Sequence, residues 1–435
     1  MSRYYMGWNK NELDVLKSSS GGIFTALSSF VLAKDGVVFG VETLKTKNVF
    51  ILKTTYTTDI EDIDRFRKSK YYQSRIDDAF QLVKLFLIDN RFVLFSGTPC
   101  QIMGLKSYLE ESKLPENKME CLITVDVLCH GVSNEEAFNM YIQDIEEHNQ
   151  KEVEYYDFRS KEHGWKNGSE LKLNFIDGTS INCFWQRDPF YLAYNYNLSL
   201  RPSCYQCEFS NSIRRSDFSI GDYWGLDKET VDSIALKNGV GLICVNTEKA
   251  AKIWNSSEIK DNIQSIEIDY VSAITRNGAL ICPPRKHNKR EFFFQNMRLI
   301  EFSKLVKRCL WKERFKIHIK SIFRIESVRR IDYSKIANKY SRAGIEEHTV
   351  NKRCFEITES ERNNKAPEEN ALPVLFEKKK KCYGCYACFS ICPVNAIRME
   401  KDCEGFFYPQ IDSEKCIRCK RCIRTCPSNC FRIKI

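Results

Sequence analysis

A cysteine run that occurs twice is what most restricts the folds open to this chain of 435 residues. Cys382-x-x-Cys385-x-x-Cys388-x-x-x-Cys392-Pro393 recurs 34 residues further on as Cys416-x-x-Cys419-x-x-Cys422-x-x-x-Cys426-Pro427. A tight C-x-x-C-x-x-C loop aims three thiolates at three corners of a cube and leaves backbone N–H groups facing its sulfides. Pro393 and Pro427 suit a chain reversal after the fourth ligand. With this spacing the fourth cysteine crosses to the other cluster. The predicted ligand sets are therefore Cys382, Cys385, Cys388 and Cys426 for one 4Fe–4S cluster, and Cys416, Cys419, Cys422 and Cys392 for a second. A pair of zinc sites is the rival, but zinc normally takes four-ligand sets with other spacings. Cys403 and Cys430 fall outside the pattern and read as structural.

The chain has 20 cysteines in all. In a secreted protein they would suggest disulfides. The N-terminus, MSRYYMGWNKNELD, has no apolar h-region and no cleavage site. No stretch approaches 18 consecutive apolar residues, so no membrane span is expected. A cytoplasmic, reducing setting with cysteines bound to clusters is the expectation. The net charge of +10 is mostly local: 18 Lys/Arg face 5 Asp/Glu between Arg285 and Arg342. A solvated basic helix face explains this, and a docking surface for an acidic protein or an anionic cofactor is the alternative. No nucleic-acid motif accompanies the charge, so no nucleic-acid partner is expected.

Apolar periodicity divides the chain into parts. Residues 1–150 alternate strand-like and helix-like segments, which argues for an α/β layer with some parallel pairing. A helix is expected from Gly22 to Ala33, strands at Val37–Glu42, Asn48–Thr55, Phe92–Ser96 and Leu122–Leu128, and a loop at Gly97–Cys100. Residues 151–284 read as more β-rich, with a hairpin around Asp177-Gly178. A basic helical extension is expected over 285–344, a polar linker over 345–380, and the two-cluster, ferredoxin-like module over 381–435.

Several residues outside that module carry chemistry. Cys100 and Cys129 each follow an apolar strand and precede a helix, and ligands of open α/β sheets gather at the carboxyl ends of strands. With Cys204-x-x-Cys207 they make a candidate third 4Fe–4S set; the alternative makes Cys100 and Cys129 small buried residues. Ser18, Ser19, Ser20, Gly21 and Gly22 precede a helix, where small residues let backbone N–H groups approach a phosphate. A plain helix cap explains the same run. No G-x-G-x-x-G follows a strand, so an ordinary nicotinamide site is not supported. Ser69, Lys70, Tyr71, Gln73 and Ser74 form a polar cluster or a solvent loop. His130 is a candidate proton donor or a structural histidine. Trp224, beside Asp222 and Gly225, packs near a ring ligand or fills the core.

Six segments in order carry a resemblance: Lys17–Gly22, Ser69–Ser74, Phe95–Gln101, Asp126–Gly131, Arg201–Cys207 and Asp217–Gly225. Together they resemble the coenzyme F420 hydrogenase/dehydrogenase beta subunit family over about residues 4–300. The resemblance implies an FAD-containing domain with an iron–sulfur cluster near the flavin. It implies redox exchange with a deazaflavin or a related two-electron partner. It favours the FAD diphosphate at Ser18–Gly22, with the Ser69–Ser74 cluster and Thr98 as further cofactor contacts; a cation such as Lys70 would stabilise reduced flavin. Relatives that carry ferredoxin cysteines usually have them before the flavin domain, whereas here they follow it. The expected fold is thus an α/β (α+β) flavin-binding domain with a small C-terminal two-cluster ferredoxin-like domain. The expected function is an oxidoreductase passing electrons between clusters and FAD, with a redox protein or a complex subunit as partner. An electron-transfer adaptor without its own substrate, or a reductase in a cell-surface polysaccharide or pigment pathway, are the alternatives.

Overall fold

The computed structural model describes residues 2–165, 169–226, 237–322 and 371–430. The expected basic extension is therefore described as far as residue 322 and the expected linker from residue 371; the remainder of both lies outside the described residues.

Strands β1 (Arg3–Asn9), β2 (Val37–Thr46), β3 (Val49–Thr57), β4 (Val93–Gly97) and β5 (Leu122–Val127) lie in the first part of the chain. Strands β6 (Val153–Ser160), β7 (Glu170–Phe175) and β8 (Ser180–Phe184) form a separate antiparallel sheet, with the β7–β8 turn at Asp177-Gly178. Strands β9 (Phe218–Asp222), β10 (Gly241–Val245) and β11 (Ile263–Ile268) return to the first sheet. That sheet has eight strands in the order β11-β1-β10-β9-β5-β4-β2-β3. Its four central strands are parallel, and antiparallel strands flank them on both sides. The parallel strands read as near-continuous apolar runs because helices cover both faces; Val93, Leu94 and Phe95 are fully buried.

The helices used below are α1 (Glu12–Lys17), α2 (Ile23–Leu32), α3 (Ala79–Ile88), α4 (Pro99–Glu111), α5 (Glu116–Met119), α6 (Glu135–Asn149) and α7 (Pro189–Asn195). Helix α4 corrects the sequence-based expectation of a loop through Cys100. Thr98 and Gln101 form a reciprocal capping box, and Pro99 takes the first helical position. These signals start the helix early, so Cys100 rides on its first turn.

Strand β12 (Ile397–Lys401) and strand β13 (Phe407–Ile411) form a hairpin between the two cysteine blocks. The C-terminal module does not stand apart from the rest. Cys385, Tyr386, Ala387, Ile391 and Ile397 share one core cluster with α3, α4 and strands β2 and β4. Phe406 and Tyr408 belong to another, built from α6, α7, β6, β7 and the helices Arg290–Asn296 and Phe302–Cys309. Polar clamps reinforce the junction: Arg290 makes a bidentate pair with Glu404, and Lys401 pairs with the buried Glu135.

Candidate functional site

The crossed grouping of cysteines in the C-terminal module has a spatial counterpart. One cavity is lined by Cys382, Cys385, Cys388 and Cys426 together with Leu375, Phe376, Tyr383, Tyr386 and Pro409. A second is lined by Cys392, Cys416, Cys419 and Cys422 together with Pro373, Val394, Ile397 and Ile411. Each is a largely apolar hole with four thiols on its wall, which fits a cubane with one thiolate for each iron. Among the described residues, no three His, Cys, Asp or Glu side chains converge as they would on a single ion.

The structure brings together a third set of four. Cys100 follows β4, Cys129 follows β5, and these strands are parallel neighbours, so both thiols lie at one sheet edge. Cys204 and Cys207 come from the turn Pro202–Gln206 and the residue after it. Burial, then the neighbouring thiols Cys204 and Cys100, raise the pKa of Cys129. Cys204 is pushed up to about 11, by burial first and with Cys100 contributing. Cys207 lies well above the usual thiol range through burial, then Cys100, Cys204 and Cys129. These mutual effects mark the four as close neighbours. Arg214 fastens their loop to the sheet: buried, it pairs with Asp126 at 2.5 Å and donates to the Phe209 carbonyl and to Ser219.

The three sets are linked in a line. Burial raises the Cys385 thiol, and Cys426, Cys100 and Cys382 add to it, so the first set of the module reaches the inner set. Cys388 feels Cys422 of the outer set in the same way, after burial and its own set. Gly104, one turn along α4 from Cys100, is the notch that admits Cys385; a Cβ there would lie 3.1 Å from the Cys385 sulfur. Between the inner and first sets stands Arg201, fully buried. Its guanidinium donates to the Cys382 and Phe407 carbonyls and to Gln73 Oε1, at 2.9–3.0 Å, and approaches Cys382 Sγ at 3.7 Å. Its other neighbour is the Tyr408 ring, 4.3 Å away.

The residues nominated for FAD divide into two groups. Ser19 accepts from the Ser69 amide and bonds its hydroxyl, which joins the Ser18–Gly22 and Ser69–Ser74 segments. Gly21 packs against the sheet: a Cβ there would lie 2.4 Å from the Gly7 carbonyl oxygen. Ser18 and Ser20 hydroxyls are spent on the Asp14 and Val240 carbonyls. Lys70 turns its ammonium to the carbonyls of Arg65, Phe66, Arg67 and Lys68, closing a short helical turn. Desolvation pushes its pKa down to about 7, with Asp157 and Glu42 pulling the other way. Gln73 donates to the Tyr383 and Gly384 carbonyls, so it serves the module junction. Ser74 accepts from Gln101. Thr98 lies 3.1 Å from the Cys100 sulfur. Tyr71 packs against Tyr194 with ring centres 4.8 Å apart and planes tilted by 48°.

Sequence reasoning missed the cations beside Ser19 and Ser20. Arg159 donates to the Ser19 carbonyl and makes a bidentate pair with Asp222. Lys161 donates to the Val15 and Ser20 carbonyls and, among the described residues, has no carboxylate hydrogen bond. Its pKa falls to about 6, through desolvation and then the positive charges of Lys68 and Arg159. Trp165 donates to Asp222, and its ring stacks flat on Trp224 at 4.8 Å. A lysine so placed, which an anion would protonate, suits an anionic ligand carrying a flat ring beside the Trp165–Trp224 stack. His130 Nε2 donates to Asn197 Oδ1 at 2.6 Å, and burial lowers its pKa.

No helix among the described residues is long and apolar enough to cross a membrane. No curated protein matches the chain. A solved chain of the F420-reducing NiFe hydrogenase complex from Methanosarcina barkeri aligns at 14% identity over 74% of this chain and 92% of its own, with a TM-score of 0.41. That score is too low for the likeness to carry weight. Residues 90–270 match the family that describes the C terminus of the coenzyme F420 hydrogenase/dehydrogenase beta subunit, and residues 381–430 match the 4Fe–4S dicluster domain. The chain thus joins a segment of the coenzyme F420 hydrogenase/dehydrogenase beta-subunit family to a 4Fe–4S dicluster domain, which makes it an iron–sulfur electron-transfer protein related to that subunit.

Proposed function

We propose that the chain is an oxidoreductase subunit that passes electrons along three 4Fe–4S clusters to or from a bound FAD, which in turn exchanges them with a deazaflavin or another two-electron partner. The observation that carries this reading is geometric: four thiols line each of two cavities in the module, and helix α4, which bears Cys100, presents its Gly104 notch to the Cys385 sulfur of the first. When bound, the clusters supply one-electron transfer and the flavin converts it to two-electron chemistry. The chain's own part is to hold and orient. Cys100, Cys129, Cys204 and Cys207 would hold the inner cluster, and the two crossed sets the others. Lys161, Arg159 and Lys68 would neutralise the FAD diphosphate near Ser19 and Ser20. Tyr71 and Tyr194 form an aromatic bridge from that cation group toward Cys129.

Anaerobic purification with iron and flavin counts tests this. The expectation is about 12 irons per chain at four for each cluster, and one FAD. A Cys204→Ala variant should fall to about 8 irons. A variant that keeps all its iron would remove the inner cluster from the proposal, and absence of flavin after full reconstitution would reject the FAD.

A further inference from the structure

The two cysteine blocks have one backbone and opposite surroundings. Gly384 has φ 62° and its counterpart Arg418 has 57°; Tyr386 has φ 66° and its counterpart Lys420 has 59°. The first block, Cys382 to Cys392, contains no charged residue, whereas the second, Cys416 to Cys426, contains Arg418, Lys420, Arg421 and Arg424 and no acid. Tyr383, Gly384, Cys385 and Tyr386 are buried against the large domain, while Ile417, Arg418 and Cys419 are exposed. Arg421 and Arg424 share the single carboxylate of Glu111. Among the described residues no carboxylate pairs with Arg418 or Lys420. Both occupy left-handed backbone, which costs a residue with a Cβ about 1–2 kcal/mol and which glycine would adopt freely. Cations therefore stand on the rim of an exposed cluster ligand, at positions where conformation favours glycine.

We infer that this loop is the docking surface for an acidic one-electron carrier protein, which exchanges electrons with the outer cluster. The inference rests on the cluster reading above and adds the port and the chemistry of the partner. One electron leaves the carrier's reduced centre and enters the outer cluster: the carrier is oxidised by one, the cluster reduced by one, and no proton or bond is involved. Uncompensated cations beside the exposed Cys419 steer an anionic partner so that its centre approaches the outer set, and such steering raises association rates by about 10- to 1,000-fold at low salt.

Stopped-flow reduction of the reconstituted full chain provides the test, with an acidic plant-type 2Fe–2S ferredoxin as probe and methyl viologen radical cation as comparison. The wild-type rate with ferredoxin should fall steeply as salt rises and the Debye length shrinks from about 10 Å to about 3 Å. The double variant Arg418→Glu/Lys420→Glu should keep its iron, react about tenfold or more slowly with ferredoxin at low salt, and react as fast or faster with the viologen cation. Should that variant lose iron, Arg418→Gln/Lys420→Gln serves, with a smaller slowing expected. An iron-replete variant reduced by ferredoxin at the wild-type rate, or a wild-type rate indifferent to salt, overturns the port and leaves the cluster reading intact. A wild-type chain that takes up no iron overturns the cluster reading itself.

Discussion

The first and second cysteine blocks of the C-terminal module are a natural experiment in what ligand spacing dictates and what it leaves free. Both use the same loop, the same pair of left-handed residues and the same short helix before the fourth cysteine. Their other side chains differ because one block faces protein and the other faces water. At Gly384 a Cβ would lie 2.7 Å from Gln73 Nε2 and 2.9 Å from Arg201 Cζ, so only glycine fits. At the matching position Arg418 is exposed. Cluster geometry thus fixes the backbone, and the neighbour decides the residue.

Exchanging the two residues should break the comparison most sharply. Gly384→Arg forces a second cation against the buried Arg201 and should destabilise the junction by about 3–5 kcal/mol, the range for a buried unpaired charge. Guanidinium unfolding and loss of about four irons would report it. Next in size, Arg201→Met leaves the Cys382 and Phe407 carbonyls without their donor, and a cost of about 2–4 kcal/mol is expected from the unsatisfied groups. Limited proteolysis should then release the C-terminal module more readily, while an equally large loss from Arg424→Met in the second block would erase the contrast, since that residue is exposed.

The two ends of the line of thiols also differ in how their cations behave. At the outer end they are solvated, whereas Lys161 at the inner end has its pKa lowered to about 6 by desolvation, Lys68 and Arg159. A bound diphosphate would raise it again, so binding takes up a proton. Affinity for FAD should therefore be full below about pH 6 and weaken as pH rises above it, by up to about tenfold per pH unit. Titrations at two pH values check this, and Lys161→Met should flatten the dependence. The smallest effect belongs to Arg418→Gly. Relief of left-handed backbone against added chain entropy should leave stability within about 1 kcal/mol of wild type, on the stabilising side.

What the sequence disclosed follows from how local each signal is. The crossed grouping of eight thiols around two cavities was legible because their spacing encodes it within 45 residues. The parallel strands were legible from apolar runs, and Cys100 and Cys129 could be set on one edge because each ends such a run. The start of α4 at Pro99 was placed about three residues late, near Ile102, since Thr98 and Pro99 lie inside a segment read as loop. Lys70 looked like a free cation, yet its ammonium closes a turn only four residues away. Arg159 and Lys161 gave no signal because their importance depends on Ser19, Ser20 and Asp222, far off in the chain. Arg201 was visible only as the first residue of a motif. Its contacts with Gln73, Cys382 and Phe407 span more than 120 positions on either side.

Helix α4 finally has a geometric consequence for electron tunnelling. Cys100 and Gly104 sit on successive turns of one rigid rod, about 6 Å apart along its axis at 1.5 Å per residue. One inserted residue between them would add only about 1.5 Å of length but swing the Gly104 notch round by about 100°. On the proposed cluster reading, the hop between the inner and first sets would then fail by rotation rather than by stretching, because the groove that seats Cys385 would face elsewhere.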